Sequence, residues 1–182
     1  MIIGITGTIG AGKGTVVSFF KEFGFIHYSA SGWLREELER RGLTPNRDTY
    51  SALAGEIRKE DPAGLAVILY EKMRSEGVEH AVIEALHDVG EAEFLKAKGA
   101  VIIGVDAAIP VRYERVVARG SEKDNVTYEH FLAQIEREET GSSHHNIRTV
   151  MAAADYVIEN NGTKEELHEA IEAIYKEISV RA

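Results

Sequence analysis

The short apolar run Met1 to Thr6 gives way to Gly7-Thr8-Ile9-Gly10-Ala11-Gly12-Lys13-Gly14-Thr15, and no other stretch constrains the fold as tightly. It fits G-x-x-x-x-G-K with a hydroxyl residue close behind, in a strand, tight-turn, helix setting. A loop that wraps a polyphosphate must turn its backbone N–H groups inward, through φ/ψ values that side chains forbid. The loop also ends at a helix N-terminus, whose unpaired N–H groups and dipole attract anions. Lys13 then supplies a mobile positive charge for β- and γ-phosphates, and Thr15 a hydroxyl near Mg²⁺. Nucleotide contacts are therefore expected from Gly7, Thr8, Gly10, Ala11, Gly12, Lys13, Gly14 and Thr15. The dinucleotide fingerprint G-x-G-x-x-G fails, because after Gly10-Ala11-Gly12 its third glycine would fall on Thr15.

The remaining chain must supply a sheet and a core for this loop. With 182 residues and 44% apolar content, a single domain spanning 1–182 can bury a sizeable interior. The net charge of −9 disfavours a nonspecific nucleic-acid or membrane-surface role, although local arginine clusters can still bind phosphates. Without cysteine there is no disulfide framework, no Cys-based zinc site and no thiol nucleophile. No apolar run approaches membrane-spanning length. The first strand leads directly into the loop, so no cleavable signal is expected and the cytoplasm is the default compartment. No repeat or linker is evident, and the partner state is expected to be monomer or homodimer.

Five strands are expected: Ile2 to Thr6, Phe25 to Ser29, Ala81 to Ala85, Ala100 to Val105 and Tyr156 to Glu159. The run Ala-Val-Ile-Ile-Gly-Val at 100–105 is apolar without alternation, as a parallel strand covered on both faces requires. Helices are expected from Gly12 or Lys13 to Phe23, Ser31 or Gly32 to Arg41, Asp48 to Lys59, Ala63 to Ser75 and Val89 to Lys98. Further ones run from Pro110 to Arg119, Tyr128 to Glu139 and Ile147 to Ala153. Polar breaks fall at Gly120 to Asn125 and Gly141 to His145. Thr163-x-x-Glu166 is a capping box that opens the last helix, along which Leu167, Ile171, Ile174 and Ile178 share one face. Alternating strands and helices imply an α/β three-layer fold, a five-stranded parallel sheet with helices on both faces. Ligands of such a sheet sit at the strands' carboxyl ends, where Gly7, Ser29, Glu84, Asp106 and Asn160 all fall.

Gly14 stands where a Ser or Thr usually follows the lysine, with Thr15 one place later. That G-K-G-T ending resembles nucleoside monophosphate kinases more than GTPases or motor ATPases. Ser29-Ala30-Ser31-Gly32-Trp33-Leu34-Arg35 is similar to the S-T-G-D-x-L-R motif of adenylate kinases, whose arginine holds the acceptor's phosphate. Ser29, Leu34 and Arg35 match, while Gly32 replaces the aspartate. The lesser reading of Arg35 is a solvated helix charge paired with Glu39 at i+4, and Trp33 reads better as packing than as a base-stacking platform. Glu84 stands where these kinases carry an acidic residue near the Mg²⁺ shell, and His87 or Asp88 where they carry an acceptor-binding arginine. Arg112, Arg115 and Arg119 share one helix face in R-Y-E-R-V-V-A-R, which resembles the helix entering the lid of monophosphate kinases. Arg137 resembles the lid's second arm. The resemblance implies that Arg115, Arg119 and Arg137, ahead of Arg112 and Arg148, stabilise charge on the transferred phosphoryl group. Asn160-Asn161-Gly162 resembles the loop that contacts adenine through its backbone, which adds Asn161 and Gly162 to the nucleotide contacts. His144-His145 lacks a third ligand at helical spacing and does not make a metal site.

The likeness spans essentially the whole chain, through Gly55 to Pro62 and Ala154-Asp155-Tyr156-Val157-Ile158-x-Asn160. It points to the adenylate-kinase-related P-loop kinases of archaea and bacteria, close to dephospho-CoA kinases. It implies an acceptor-binding helical segment at about 31–75 and a small lid at about 119–146. It also implies transfer of the γ-phosphoryl of Mg-ATP to a nucleoside or deoxynucleoside monophosphate. Thr15 and Glu84 would position Mg²⁺ directly or through water, and Ser29, Arg35, Arg58 and His87 would face the acceptor. Two alternatives stand: a dephospho-CoA kinase, whose hydroxyl acceptor needs a base that Asp88 could supply, and a nucleotide-binding regulator with slow ATPase activity. No nucleic-acid or membrane partner is expected.

Overall fold

The computed structural model describes residues 1–119, 127–140 and 146–181. Five strands, β1 (Ile2–Gly7), β2 (Ile26–Ser29), β3 (Ala81–Glu84), β4 (Val101–Asp106) and β5 (Tyr156–Glu159), form one parallel sheet. Their order is β2-β3-β1-β4-β5, which puts the loop-bearing strand at the centre. Register sets Ser29 and Ile5 opposite Glu84, and Asp106 opposite Glu159, so the strands' carboxyl ends are level. The helices are α1 (Lys13–Glu22), α2 (Ala30–Arg40), α3 (Arg47–Glu60), α4 (Gly64–Ser75), α5 (Val89–Ala97), α6 (Ile109–Arg119), α7 (Tyr128–Thr140), α8 (Ile147–Ala152) and α9 (Lys164–Arg181).

The expected elements are present, and side-chain caps set the starts of α2, α3, α5 and α8. Helix α2 begins at Ala30, ahead of the expected start at Ser31 or Gly32, because the Ser29 hydroxyl accepts the Gly32 N–H and caps it. The stretch Thr44-Pro45-Asn46 before α3 ends in a cap too. Asn46 Oδ1 accepts from the amides of Asp48 and Thr49, and Asn46 N–H donates to Thr49 Oγ1. The Thr163–Glu166 capping box forms as expected, at 2.8 and 3.1 Å.

Two apolar layers cover the sheet. Val16, Phe19 and Phe20 of α1 and Leu167, Ile171 and Ile178 of α9 pack on Ile3, Ile5, Val82, Ile103 and Val105. On the opposite face, Leu34, Leu38, Leu53, Leu65, Leu69, Leu95 and Val150, from α2, α3, α4, α5 and α8, pack on Tyr28, Ile83 and Ile102. Helices α2 to α4, the expected acceptor segment, thus share their core with the sheet. Trp33 packs against this cluster, as its packing reading expected. Helices α6 and α7 join through Val116, Phe131 and Ile135, with Ile9 and Tyr113 against them. The expected polar breaks at 120–125 and 141–145, with the bulk of the lid's connecting residues and His144-His145, lie outside the described residues. No described helix is long and apolar enough to cross a membrane.

Candidate functional site

The loop from β1 to α1 folds through left-handed backbone at Gly10 (φ 78°) and Gly12 (φ 102°). At both, a side chain also lacks space. A Cβ on Gly10 would lie 2.6 Å from the Arg112 carbonyl oxygen, and one on Gly12 would lie 2.4 Å from Asn160 Nδ2. Gly12 is the N-cap of α1 and offers no side-chain acceptor, so the first-turn N–H groups have no side-chain cap. Lys13 Nζ lies across the loop and donates to the carbonyls of Gly7 and Thr8, at 2.7 and 2.9 Å. Thr8 is tied in turn to the end of β4, its Oγ1 donating to Asp106 Oδ1 at 2.6 Å. These ties hold a nest of amides at the positive end of a helix, an arrangement that binds polyphosphate.

Opposite the loop stands the turn between β5 and α9. Asn160 is buried, and its Nδ2 donates to the Ala11 carbonyl at 2.7 Å. Arg115 Nη1 donates to the Asn160 carbonyl at 2.8 Å, while its Nη2 lies 3.4 Å from Asn160 Oδ1 and 3.2 Å from the Gly162 carbonyl. Asn161 Oδ1 accepts the Ala108 amide at 2.7 Å, which joins the turn to the start of α6. Loop, turn and α6 therefore close on one cavity of about 720 Å³, lined by Lys13, Thr15, Glu84, Arg115, Arg119 and Gly162 among others. That size suits a nucleotide. The structure thus brings Arg115 to the Asn160–Gly162 turn rather than to a bare phosphate position. Arg119 lines the same cavity. Arg137 is exposed on α7 and lies outside the residues lining it, and Arg148 is exposed and paired with Glu139 at 2.8 Å. Arg112 is buried, with Nε and Nη1 lacking a hydrogen-bond partner among the described residues.

Thr15 and Glu84 face the cavity together, a donor set of hydroxyl and carboxylate that fits a hard cation such as Mg²⁺. Among the described residues no group of three or more His, Cys, Asp or Glu could hold a metal alone. A cation sharing its ligands with substrate phosphates and water needs no such cage. Glu84 Oε2 is 3.0 Å from His27 Nε2 on β2. Directly after it, Ala85 adopts φ 73°, a left-handed conformation that costs a residue with a Cβ.

On the acceptor side, Ser29 Oγ and Ser31 Oγ are 3.0 Å apart and Arg35 Nε donates to Tyr50 Oη at 3.1 Å, so Arg35 does not take Glu39 as its hydrogen-bonded partner. A Cβ on Gly32 would meet Ser29 Cβ at 3.4 Å, an ordinary contact, so packing does not demand a glycine there. Arg58, expected to face the acceptor, is instead held inside the protein. Its Nε donates to Glu91 Oε1 at 2.8 Å, with the side chains only 9% and 1% exposed. Glu91 Oε2 also accepts the amides of His87 and Asp88. Burial pushes the Glu91 carboxyl up, and Arg58 and the two amides pull against it. His87 is half-buried at the acceptor side, with its backbone spent on Glu91. Asp88 is fully buried as the N-cap of α5, Oδ1 accepting the Gly90 amide and Oδ2 without a partner among the described residues. His27 and Glu91 escaped the sequence reading as functional groups, whereas Asp106 and Asn160 were placed by it at the ligand-binding end of the sheet, each following an apolar strand, without a side-chain role.

A family model described as an AAA domain matches residues 6–132. UPF0200 protein PH1008 of Pyrococcus horikoshii is 32% identical over 187 residues, covering 98% of this chain and 97% of its own. UPF0200 protein PAE1629 of Pyrobaculum aerophilum is 31% identical over 181 residues, covering 97% and 98%. Among solved structures, shikimate kinase from Acinetobacter baumannii in complex with shikimate matches with a TM-score of 0.60 at 18% identity, over 99% of this chain and 93% of that one. Dephospho-CoA kinase from Campylobacter jejuni matches with 0.59 at 16% identity, over 98% and 96%. At such identities the structural likeness speaks for the fold. The domain model spans more than half of the chain and the UPF0200 relatives nearly all of it, so the chain belongs to the AAA domain family and to the UPF0200 proteins, on a small P-loop kinase-like fold.

Proposed function

We propose that the protein is an ATP-dependent phosphotransferase, moving the γ-phosphoryl of Mg-ATP to a small acceptor. One observation carries the reading: the Gly7–Thr15 loop, the Arg115/Arg119 helix and the Asn160–Gly162 turn close on one cavity of nucleotide size. In this reading the α1 amides and Lys13 hold the donor's phosphates, and the turn and Arg115 hold its nucleoside end. Thr15 and Glu84 would hold Mg²⁺, which when bound neutralises charge between the β- and γ-phosphates. Arg119 closes over the transferring group with Arg137 from α7, and closure excludes water. The likeness to kinases at the level of fold supports this reading, as does the retained arginine helix, for which a pure switch has less use.

The finer reading is a nucleoside or deoxynucleoside monophosphate acceptor, with Arg35 and the Ser29–Ser31 hydroxyls toward its phosphate and His87 nearby. Such an acceptor is already ionised at neutral pH and needs no general base. One observation favours a hydroxyl acceptor such as dephospho-CoA as the second reading: Arg58 is spent on Glu91, so it is not offered to an acceptor phosphate. Against it, the carboxylate that would serve as base, Asp88, is enclosed as a helix cap. A coupled ADP-release assay across monophosphates, deoxymonophosphates and dephospho-CoA tests both. Strong stimulation by one acceptor supports transfer and names its class. ADP release indifferent to every acceptor overturns the transferase reading in favour of a nucleotide-binding regulator. The compartment proposed is the cytoplasm.

A further inference from the structure

We infer that His27 is a positioning residue for Glu84, holding one carboxylate oxygen so that the other is presented to the metal side of the nucleotide cavity. The inference rests on the phosphotransferase reading above and deepens its metal site.

The parallel pairing of β2 with β3 sets His27 opposite Val82 and Ser29 opposite Glu84. Directly paired residues, and residues two apart along a strand, point to the same face of a sheet. His27 and Glu84 therefore share the face that Val82 packs against α1, the helix that begins with Lys13 and carries Thr15. His27 Nε2 reaches Glu84 Oε2 at 3.0 Å, with side chains 27% and 21% exposed, so the bond is partly shielded from water. Both the neutral Nε2–H tautomer and the imidazolium donate in this geometry.

Glutamate is a long side chain for a metal-positioning role, and an unrestrained carboxylate would sample many rotamers. Glu84 is restrained at both ends. Its tip is held by His27, and its backbone runs into the left-handed Ala85, whose amide donates to the Ile5 carbonyl at 3.1 Å. A tie between strands alone does not explain the pair, because β2 and β3 are already paired along the whole of Ile26 to Ser29. Partners that orient a metal-binding carboxylate typically contribute 10- to 100-fold in metal affinity. The glutamate side chain reaches from β3 to both the histidine and the cavity.

The test uses the full chain and two probes, a fluorescent ADP analogue and Mn²⁺, whose binding in the ternary complex is read by paramagnetic resonance. His27→Ala is expected to weaken Mn²⁺ about tenfold in the presence of ADP. Affinity for ADP without metal and the melting temperature should remain as in the parent. His27→Gln, whose amide nitrogen donates from a similar place, should restore most of the loss. Unchanged Mn²⁺ affinity in His27→Ala overturns the inference, and so does a parallel fall in metal-free ADP binding or in melting temperature. A parent protein that binds ADP equally with and without Mn²⁺ overturns the metal assignment of Glu84 and this inference together. A parent protein that binds no nucleotide overturns the transferase reading itself, so the failures are distinguishable.

Discussion

Replacing Arg58 with alanine separates an acceptor-binding arginine from a structural one, and the size of the effect follows from burial. The Arg58 and Glu91 side chains are 9% and 1% exposed, and they meet at 2.8 Å. Removing the arginine leaves a buried carboxylate facing only the amides of His87 and Asp88. Breaking a buried pair from one side costs about 3–5 kcal/mol, because the surviving charge stays desolvated. For a chain of this length each kcal/mol lowers the melting temperature by about 2–4 °C, so Arg58→Ala should melt on the order of 10 °C lower. The loss should depend on pH. Burial already raises the Glu91 pKa in the folded protein, and the Arg58 guanidinium is the main group opposing that rise. Without it the folded pKa rises further above the unfolded value. A raised carboxyl pKa makes the folded state the stronger proton binder, so the penalty is full above the folded pKa and fades as pH falls toward the unfolded one. The deficit of Arg58→Ala is therefore largest near pH 8 and shrinks toward pH 5. The double variant Arg58→Met, Glu91→Gln, which removes both buried charges while an amide oxygen can still accept from His87 and Asp88, should recover most of the lost stability. Thermal unfolding at several pH values reads all three outcomes. An Arg58→Ala protein that melts like the parent at pH 8 but shows a raised acceptor KM would refute the reasoning and return Arg58 to the acceptor.

Three further substitutions probe the cavity and its supports. Lys13→Ala should lower turnover by at least about 10²-fold while leaving the melting temperature in place, since Lys13 is anchored on loop carbonyls rather than in the core; full activity would overturn the loop assignment. Ala85→Gly removes a left-handed penalty of about 1–2 kcal/mol and adds unfolded-state entropy worth about 0.4–1 kcal/mol. Net stabilisation of about 0.5–1 kcal/mol should appear in denaturant unfolding, and a loss would show that Ala85 carries no strain. Asn160→Ala strands the Ala11 carbonyl and removes the Oδ1 contact of Arg115, whose bonds to the backbone carbonyls of residues 160 and 162 remain. It should cost about 1–3 kcal/mol of stability and weaken nucleotide binding by calorimetry; unchanged affinity would exclude the Asn160 network from the site.

Much of this architecture was legible because its signals are local. Gly7 to Thr15 needs only adjacent residues to specify a turn, a helix start and an anion site, and Thr163 and Glu166 cap a helix within one turn. The unalternating run Ala100 to Val105 read as a strand covered on both faces, and β4 at Val101–Asp106 is one. Groups partnered across the fold were less legible, on the acceptor side and around the nucleotide cavity alike. Arg58 and Glu91 are separated by 33 positions, His27 and Glu84 by 57, and Asn160 and Ala11 by 149. Spacing put Arg58 on a helix but could not say that α5 would bring a carboxylate to it. Likewise, the i, i+3, i+7 pattern of Arg112, Arg115 and Arg119 defined a helix face without revealing that the face splits. Arg112 is buried, whereas Arg115 grips the turn at Asn160 and Gly162.

The central claim is that the cavity transfers a phosphoryl group rather than merely binding or hydrolysing a nucleotide. The direct measurement is the fate of radiolabel from γ-labelled ATP, with Mg²⁺ and a panel of monophosphates, deoxymonophosphates and dephospho-CoA, products being separated by chromatography. Label recovered in an organic product with one acceptor class, and lost in Lys13→Ala, is the predicted result. Label recovered only as inorganic phosphate, at the same rate with every acceptor, would contradict it.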